Sequence, residues 1–335
     1  MVLIWLLYAI CLVVVVFASM QLAGVVDELD KKTKLSGAFL GSVLLAGVTS
    51  LPELVTSVTG AILGETNMTL GNILGSNVFD MAIIGFLMVI FCNHIAHKHL
   101  SRSNVIFVVF TMVISFCVLI CMIFGFQVVI PVINVNVLTP IIILLYALAL
   151  FSTRKSEPKV HDEEKTDAPN KFKKYSVKQL WTYFALFSIL LVGVSVAITF
   201  LTEKIADTYS LRRGLAGALF LGVATSLPEI IASFQLIRLG NFDAAYGDIV
   251  GSCLFNFGVI SLADIIFTKG TVFVSDSQSL VLSACLTMAA VFMLVFGIIR
   301  RKERMLKSSK FIQLSFGAGI VCCYLTFLII STLIL

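Results

Sequence analysis

The sequence predicts an all-α membrane protein with ten transmembrane helices, arranged as two inverted-topology repeats of five. Three observations lead to this fold class. Long apolar runs fill most of the chain, one block of polar and helix-breaking residues occurs twice, and lysine and arginine are concentrated in alternate loops. The runs give the helix count, the repeated block gives the two halves, and the loop charges give their relative orientation.

The apolar runs are long enough to cross a bilayer. Of the 335 residues, 59% are hydrophobic and 13% are charged, a composition typical of integral membrane proteins and not of soluble ones. The mean hydropathy of +1.04 agrees. Because a membrane helix needs roughly 20 apolar residues, we predict spans at 2–24, 36–63, 69–92, 104–126, 129–152, 178–202, 213–239, 244–268, 277–299 and 311–335.

A polar segment separates two halves of the chain. Residues 153–177 are rich in charged side chains, and we predict a solvated cytoplasmic linker loop there. Residues 1–152 then form a first five-helix half, and residues 178–335 form a second. The eight cysteines show no metal-type spacing, and nothing in the composition indicates a nucleic-acid partner.

The two halves carry copies of one block. Residues 41–80 and 217–256 align without gaps at a constant offset of 176 positions, with 15 identities in 40 pairs. Chance matches between apolar sequences would favour Leu and Ile, whereas these identities concentrate in Thr, Ser, Pro, Glu and Gly. The two halves are therefore predicted to descend from one repeat.

The loop charges predict how the halves are oriented. Loops with odd numbers, counted from the N-terminus, hold 20 of the 24 lysines and arginines. By the positive-inside rule these loops, including the central linker, face the cytoplasm and both termini face out, in a multi-pass protein of the cell inner or plasma membrane. An odd number of spans per half makes the second half cross in the opposite sense, so the two blocks are expected to meet at mid-membrane.

Each block places a proline and a carboxylate inside a membrane helix. Pro52 precedes Glu53, and Pro228 precedes Glu229. Proline lacks an N–H and clashes with the carbonyl four residues back, so both helices should break there and leave the carbonyls of residues 46–48 without helical partners. A charge at membrane depth costs roughly 2.5–3.5 kcal/mol on insertion scales. Both glutamates are therefore candidate cation ligands, the alternative being a structural pairing with a serine or a backbone amide.

Further oxygen ligands lie close by in both blocks. Hydroxyls one turn before each glutamate, and pairs of polar side chains four residues apart on the second limb, complete an all-oxygen set that suits Na⁺ or Ca²⁺. For the Ser and Thr residues the alternative is a hydrogen bond to the carbonyl one turn earlier in the same helix. The set comprises Thr49, Ser50, Ser76, Asp80, Thr225, Ser226, Ser252 and Asn256.

The doubled motif resembles the α-repeats of the sodium/calcium exchangers, in the cation/calcium exchanger superfamily. The motif Gly-x-Thr-Ser-Leu-Pro-Glu stands at 47–53, with a close variant at 222–229, and the resemblance covers both repeats and the hydropathy layout. It implies an alternating-access antiporter for Na⁺ and Ca²⁺ that needs no cofactor. It also implies that the backbone carbonyls of Ala46 and Gly222 coordinate cations.

The chain departs from the family pattern at two places. Family members commonly have Asn at the position of Asp80 and Asp at that of Asn256, so this pair is exchanged. Both positions would face one centre, and Asp80 is expected to take the acidic role, protonated in some states. Asn77 is matched by Cys253, a change that would alter selectivity or only packing.

Three more polar residues are candidates for the ion pathway. These are Asn77, together with Asp248 and its counterpart Asn72. Asp248 lies one turn before Ser252, and a structural polar contact is its alternative role. The glycines around them, 71, 75, 247 and 251, are interpreted as packing positions that let this helix approach its neighbour.

The predicted function is secondary antiport, not enzyme catalysis, with Ca²⁺ exported as Na⁺ enters across the lipid bilayer. Coupling to H⁺, or exchange of another divalent cation, is the main alternative because of the Asp80 and Asn256 exchange. An ion channel and an intramembrane aspartyl protease are distant alternatives, since 245–248 only half resembles the Gly-x-Gly-Asp motif of that protease. One chain holds both repeats, so a monomer suffices for transport and the oligomeric state is left open.

Overall fold

Helices make up nearly all of the structure. The computed structural model describes residues 2–33, 35, 39–64, 66–95, 100–125, 128–131, 134–153, 170–208, 222–273, 277–301 and 309–334. Two short strands, β1 (Val129–Ile130) and β2 (Val135–Asn136), pair antiparallel. The helices are α1 (Val2–Lys32), a π-helix (Leu40–Leu45), α2 (Ala46–Thr49), α3 (Leu51–Leu63), α4 (Thr66–Ile90), α5 (Cys92–Ile95), α6 (Arg102–Phe124), α7 (Leu138–Ser152), a 3₁₀ turn (Lys171–Lys174), α8 (Val177–Thr208), α9 (Gly222–Arg238), α10 (Phe242–Ile266), α11 (Ser277–Arg301) and α12 (Ser309–Ile334).

Within these residues, seven helices are long and apolar enough to cross a membrane. They are α1, α4, α6, α8, α10, α11 and α12. An eighth span is formed if the bent pair Leu40–Thr49 and Leu51–Leu63 is taken as one. The all-α, membrane-type fold predicted from composition is therefore confirmed.

Two of the predicted spans do not coincide with the helices that the structure describes. The span at 129–152 is wrong in its first third, because β1, β2 and their turn occupy residues 129–136 and the helix begins at Leu138. Pro131 has no N–H to donate and Asn134 adopts a φ of 52°, both of which oppose a helix there. The span at 213–239 is described only from residue 222 onward, and the linker only from residue 170.

Helix α10 lies at the centre of the described fold. It packs against the π-helix and against α3, α4, α6, α7 and α9. All of its residues from 244 to 254 are buried, whereas α1, α8 and α12 expose large apolar side chains such as Val13, Ile189 and Ile329. The outer helices therefore present a lipid-compatible surface, and the polar residues of the repeated block lie inside.

One end of α10 is fixed by a buried acid that is fully paired. Asp264 is completely buried and accepts hydrogen bonds from the Thr139 hydroxyl at 2.6 Å and from the Asn136 N–H at 2.9 Å. Its second oxygen accepts from the Thr271 hydroxyl and the Val272 N–H, both at 2.8 Å. This carboxylate joins α10 to the start of α7 and to the connection that follows it. Its pairing leaves no free acceptor, so its role is structural.

The described end of the linker has one buried side chain, while Lys171, Lys173 and Lys174 are exposed. Phe172 is only 4% exposed, and the Asn170 amide donates to the Gly24 carbonyl and to Asp27, each at 2.9 Å. Lys32 donates to the carbonyl of Tyr175 at 2.7 Å. The linker therefore rejoins the protein against the end of α1, which runs past its predicted end at residue 24 to Lys32.

Two glycines allow backbone-to-backbone contact between α10 and the π-helix. A Cβ built on Gly251 would lie 2.1 Å from the Ser42 carbonyl oxygen, and one built on Gly41 would lie 2.2 Å from that of Ala244. Real Cβ atoms do not approach backbone this closely, so only glycine fits. The packing role predicted for Gly251 is confirmed, while a Cβ at Gly71 or Gly75 would meet no described atom within 4 Å.

We expect Gly251→Ala to destabilise the protein, because the added methyl must push α10 away from the π-helix. Overpacking of this kind typically costs about 1–3 kcal/mol, and the thermal unfolding midpoint in detergent should fall. Gly258→Ala is the matched control on the same helix, since a Cβ there meets no described atom within 4 Å. It should leave the midpoint unchanged or raise it, as alanine favours helix over glycine by about 1 kcal/mol. Equal midpoints for the two variants would contradict the close approach.

Candidate ion-binding site

The helix of the first block breaks at Ser50. The segments Leu40–Thr49 and Leu51–Leu63 differ in direction by 49°, and Ser50 has φ −89° and ψ 9°, outside the helical region. Pro52 sits in the first turn of α3, where its missing N–H is tolerated. The predicted break is therefore observed, and it places Glu53 in the first turn of the helix that follows.

The predicted loss of partners for the carbonyls before the break is wrong for Ala46. Its carbonyl accepts from the Ser50 N–H at 3.0 Å and from the Thr49 hydroxyl at 3.2 Å. The break falls after Ser50, so the turn before it is still closed. A carbonyl oxygen has two lone pairs, and both of those on Ala46 already accept a hydrogen bond. A cation that used Ala46 as a backbone ligand, as predicted, would have to compete with these two donors.

The second block differs from the first at its proline. The helix α9 is continuous from Gly222 through Pro228 to Arg238, so the predicted break at Pro228 is not found in the described residues. Residues 209–221, which come before α9, lie outside the described residues.

Both glutamates are buried and are neighbours in space. Glu53 is 2% exposed and Glu229 is 1% exposed. The Ser50 hydroxyl donates to Glu229 Oε1 at 3.1 Å, which links the break of the first block to the acid of the second. In return, the Thr225 side chain of the second block bonds the Glu53 carboxylate, and the two glutamates interact electrostatically.

Two aspartates lie beside the glutamates. Asp80 is 2% exposed and interacts electrostatically with both Glu53 and Glu229. Asp248 is fully buried and interacts with Glu229 and Asp80. Asp248, which was predicted as a residue of the ion pathway, therefore lies near the three acids of the predicted site.

These acids retain oxygens that accept no hydrogen bond within the described part of the chain. They are Glu53 Oε2, Glu229 Oε2, Asp80 Oδ1 and Asp248 Oδ1, and the same holds for Ser252 Oγ and Asn256 Oδ1. An unpaired buried charge costs several kcal/mol, so the four carboxylates require a cation or a proton. No three Asp, Glu, His or Cys side chains of the described residues converge as one metal cluster. A cation bound here would therefore be held by one or two carboxylates, with hydroxyls and carbonyls completing its shell.

Among the remaining predicted side chains, three serines are buried and Thr49 is hydrogen-bonded to carbonyls one turn earlier. Ser76, Ser226 and Ser252 are buried alongside the acids. Thr49 donates to the carbonyls of Leu45 and Ala46, both at 3.2 Å, as the alternative interpretation predicted. That bond uses its hydroxyl proton and leaves its oxygen lone pairs free to meet a cation. Gly222 is the first described residue of α9.

Residues related by the repeat offset meet at the centre of the site. The Asn77 amide donates to the Cys253 carbonyl at 3.2 Å, and the Cys253 thiol lies 3.6 Å from the Asn77 carbonyl in return. Asn256 donates to Asn77 Oδ1 at 2.8 Å. Reciprocal contact of this kind is what a local two-fold relation between the two repeats predicts.

Sequence analysis missed one pair of residues at the edge of the site. Ser57 accepts from the Asn72 amide at 3.1 Å, and its counterpart Ser233 donates to Asp248 Oδ2 at 3.2 Å. Both serines are fully buried. Two features of the sequence could have identified this pair. Ser57 is identical to Ser233 in the aligned blocks, and the separation from Ser57 to Asn72 equals that from Ser233 to Asp248.

We expect Asn77→Ala to lower the thermal unfolding midpoint, because it leaves the Asn256 amide buried without its acceptor. An unsatisfied buried group costs about 1–3 kcal/mol. Cys253→Ala is the matched variant across the axis and removes only a weak thiol contact, so its midpoint should fall less. A larger loss for Cys253→Ala would show that the asparagine does not hold the two helices together.

The structure is similar to solved structures of the sodium-calcium exchanger NCX_Mj. One of these, soaked with Na⁺ and no Ca²⁺, has a TM-score of 0.71 and 16% sequence identity, with 100% of both chains covered. Another, soaked with Na⁺ and Ca²⁺, has a TM-score of 0.72 and 15% identity, covering 100% of this chain and 99% of the other. At this level of identity the likeness establishes the shared fold.

Comparison with curated proteins finds relatives that match part of the chain. The sodium/potassium/calcium exchanger 3 of Rattus norvegicus is 26% identical over 168 residues, which are 49% of this chain and 26% of that protein. An uncharacterized membrane protein of Methanocaldococcus jannaschii is 20% identical over 235 residues, covering 69% of this chain and 71% of its own length. The alignment thus spans about a quarter of the length of the mammalian exchanger.

A family model gives the broadest match. The model for the sodium/calcium exchanger protein family matches residues 3–154 and 179–333, leaving out only the linker and the chain ends. Each of the two matched segments contains one copy of the repeated block. Neither this family nor the fold is that of an enzyme. The chain belongs to the sodium/calcium exchanger protein family.

Proposed function

We propose that the protein is a secondary antiporter that exports Ca²⁺ in exchange for Na⁺. The observation that carries this proposal is the set of buried carboxylate oxygens that accept no hydrogen bond, contributed by both repeats. Membership of the exchanger family supports it. Oxygen ligands of this kind, without thiolate or imidazole, suit hard cations.

Coupling of the two ions follows from charge. Glu53, Glu229 and Asp80 carry up to three negative charges in a buried site, which either one Ca²⁺ or several Na⁺ would offset. An empty and fully charged site is costly to enclose within the membrane, so the transition between the two access states is favoured only when a load is bound. Because one load excludes the other, the Na⁺ gradient drives Ca²⁺ movement.

The same proposal includes the architecture of ten spans in two inverted repeats, with halves at 1–152 and 178–335 joined by a linker at 153–177. Reciprocal contact between Asn77 and Cys253 supports a two-fold relation between the repeats. The bias of lysine and arginine toward odd loops supports a cytoplasmic linker and outward termini. The inverted arrangement provides two equivalent routes to one central site.

The exchange of acid between Asp80 and Asn256 favours one alternative, coupling to H⁺ in place of Na⁺. A carboxylate at Asp80, close to Glu53 and Glu229, could be neutralised by a proton. Flux measurements with separate Na⁺ and H⁺ gradients discriminate between the two. Ca²⁺ uptake that follows a pH gradient in the absence of Na⁺ would favour the proton-coupled exchanger.

We expect Glu53→Gln and Glu229→Gln each to abolish most Na⁺-gradient-driven ⁴⁵Ca²⁺ uptake into proteoliposomes. If losing one carboxylate ligand raises the free-energy barrier to transport by about 3 kcal/mol, transport becomes about a hundredfold slower. Glu28→Gln is the matched control, because Glu28 is a buried acid paired with Lys31 and Lys32 at the end of α1, away from the site. It should transport at close to the wild-type rate. Wild-type rates in both site variants would exclude the glutamates as ligands.

The inverted topology predicts that equivalent positions of the two repeats face opposite sides. Ile62 and Arg238 are both exposed near the ends of α3 and α9 and are related by the 176-residue offset. In a cysteine-free background, Ile62→Cys should react with a membrane-impermeant maleimide from outside the cell. Arg238→Cys should react only after the cytoplasmic side is opened. Labelling of both from the same side would rule out inversion.

A further inference from the structure

Three lysines on the 3₁₀ turn at the end of the linker have no acidic partner within the described residues. Lys171, Lys173 and Lys174 are all exposed. The ion pairs found in the described part of the chain are formed instead by Lys31 and Lys32, at the end of α1. Three positive charges therefore stand on one short turn without compensation from a described carboxylate.

The turn lies at the boundary of the membrane-spanning part of the chain. The Asn170 amide donates to the Gly24 carbonyl at 2.9 Å, and the predicted first span ends at residue 24. After the turn, the candidate span of α8 begins at Val177. Trp181, one helical turn further on, is 36% exposed, as expected for the aromatic residues that mark a membrane surface. Both neighbouring helices therefore place the turn at the level of the lipid headgroups.

Lys171 extends from this turn over the lipid-facing surface of α1. Its Nζ lies 5.2 Å from the centre of the Phe172 ring and 5.8 Å from the centre of the Phe17 ring. Phe17 is 49% exposed and packs edge-on against Phe187 of α8, with 6.0 Å between the ring centres. The ammonium group therefore lies over the contact between α1 and α8. At the polar boundary of a bilayer, lipid phosphates are the anions within reach of such a side chain.

The backbone that carries these lysines is held in place by the protein. The Phe172 side chain is buried, and its N–H donates to the Asn170 side chain at 3.0 Å. Lys32 of α1 donates to the Tyr175 carbonyl at 2.7 Å. Because the turn is already ordered, it loses little conformational freedom when a ligand binds, and this favours affinity.

We propose that Lys171, Lys173 and Lys174, together with the Phe17 ring, form a binding site for the headgroup of an anionic phospholipid. The ammonium groups bind the lipid phosphate, and the acyl chains lie along the apolar surface of α1 and α8. A zwitterionic lipid such as phosphatidylcholine carries a cationic group beside its phosphate, so the lysines discriminate against it. Each basic residue close to an anionic membrane surface strengthens the attraction about fivefold.

The test measures the thermal unfolding midpoint of the whole chain in nanodiscs. Nanodiscs of phosphatidylcholine are compared with nanodiscs that contain a rising fraction of phosphatidylglycerol. A ligand that binds the folded state raises the midpoint with its concentration, so the midpoint of the wild type should rise and then level off. In the triple variant Lys171→Gln, Lys173→Gln and Lys174→Gln the rise should be lost. A wild-type midpoint that does not respond to phosphatidylglycerol, or an undiminished rise in the triple variant, would overturn the proposal.

Single substitutions of equal charge separate a site from the general attraction of a basic protein to an anionic surface. Lys310 is exposed near the start of α12, and the loop charges place it on the same side of the membrane as the linker. Lys171→Gln should need about a fivefold higher fraction of phosphatidylglycerol for the same rise. Lys310→Gln should behave as the wild type. Equal shifts in the two variants would mean nonspecific surface attraction only and would overturn the site.

Two further measurements separate lipid binding from folding and from binding of a soluble anion. Inorganic phosphate added to phosphatidylcholine nanodiscs should not reproduce the rise, and a rise of equal size would assign the lysines to a soluble anion and overturn the lipid site. If a variant is less stable than wild type in pure phosphatidylcholine, native mass spectrometry of protein released from mixed nanodiscs gives the result. Bound phosphatidylglycerol should be depleted in Lys171→Gln relative to Lys310→Gln, and equal amounts would contradict the proposal.

Discussion

Buried carboxylates that each keep one oxygen without a donor among the described residues are the constraint on which the rest of the structure depends. The described fold contains two classes of acid. Asp264, which is buried, accepts four hydrogen bonds, and the half-buried Asp243 accepts from the Ser101 N–H and the Asn104 amide, at 2.8 and 2.7 Å. Glu53 and Glu229 each keep one oxygen without a donor. The first class ties helices together, and the second leaves capacity for an ion.

The packing around the site serves to bring the second class together. Glycine at 251 lets α10 touch the π-helix through its backbone, which draws the limb carrying Asp248 against the segment that leads to Ser50. Ser50 then reaches across to Glu229. The close approach of two helices and the electrostatics of the acids are therefore parts of one arrangement, since a wider separation would let lipid or water reach the charges.

Much of this arrangement could be predicted from sequence, because the same polar and helix-breaking residues occur in both copies of the repeated block. The burial of Glu53 next to Glu229 followed from two proline-glutamate pairs in apolar runs, and the helix break appeared in the first block as expected. Ligand roles stay predictions. The continuous helix through Pro228 could not be foreseen, because neighbouring helices can supply partners for the backbone groups that a proline frees, and the sequence does not show those neighbours. The ribbon at 129–136 was misread since its β-branched residues are as apolar as a membrane helix.

The helix of the first block bends at Ser50, whereas α9 continues through the equivalent Ser226, so equivalent sequences adopt two conformations within one molecule. If the halves are related by an inverted two-fold, exchanging these conformations between them generates a second global state, in which the bend lies near Ser226. The conformation of each half is then the template for the other half in that second state. The free-energy gap between the two states would be set by the residues that differ across the axis, with Asn77 and Cys253 at its centre.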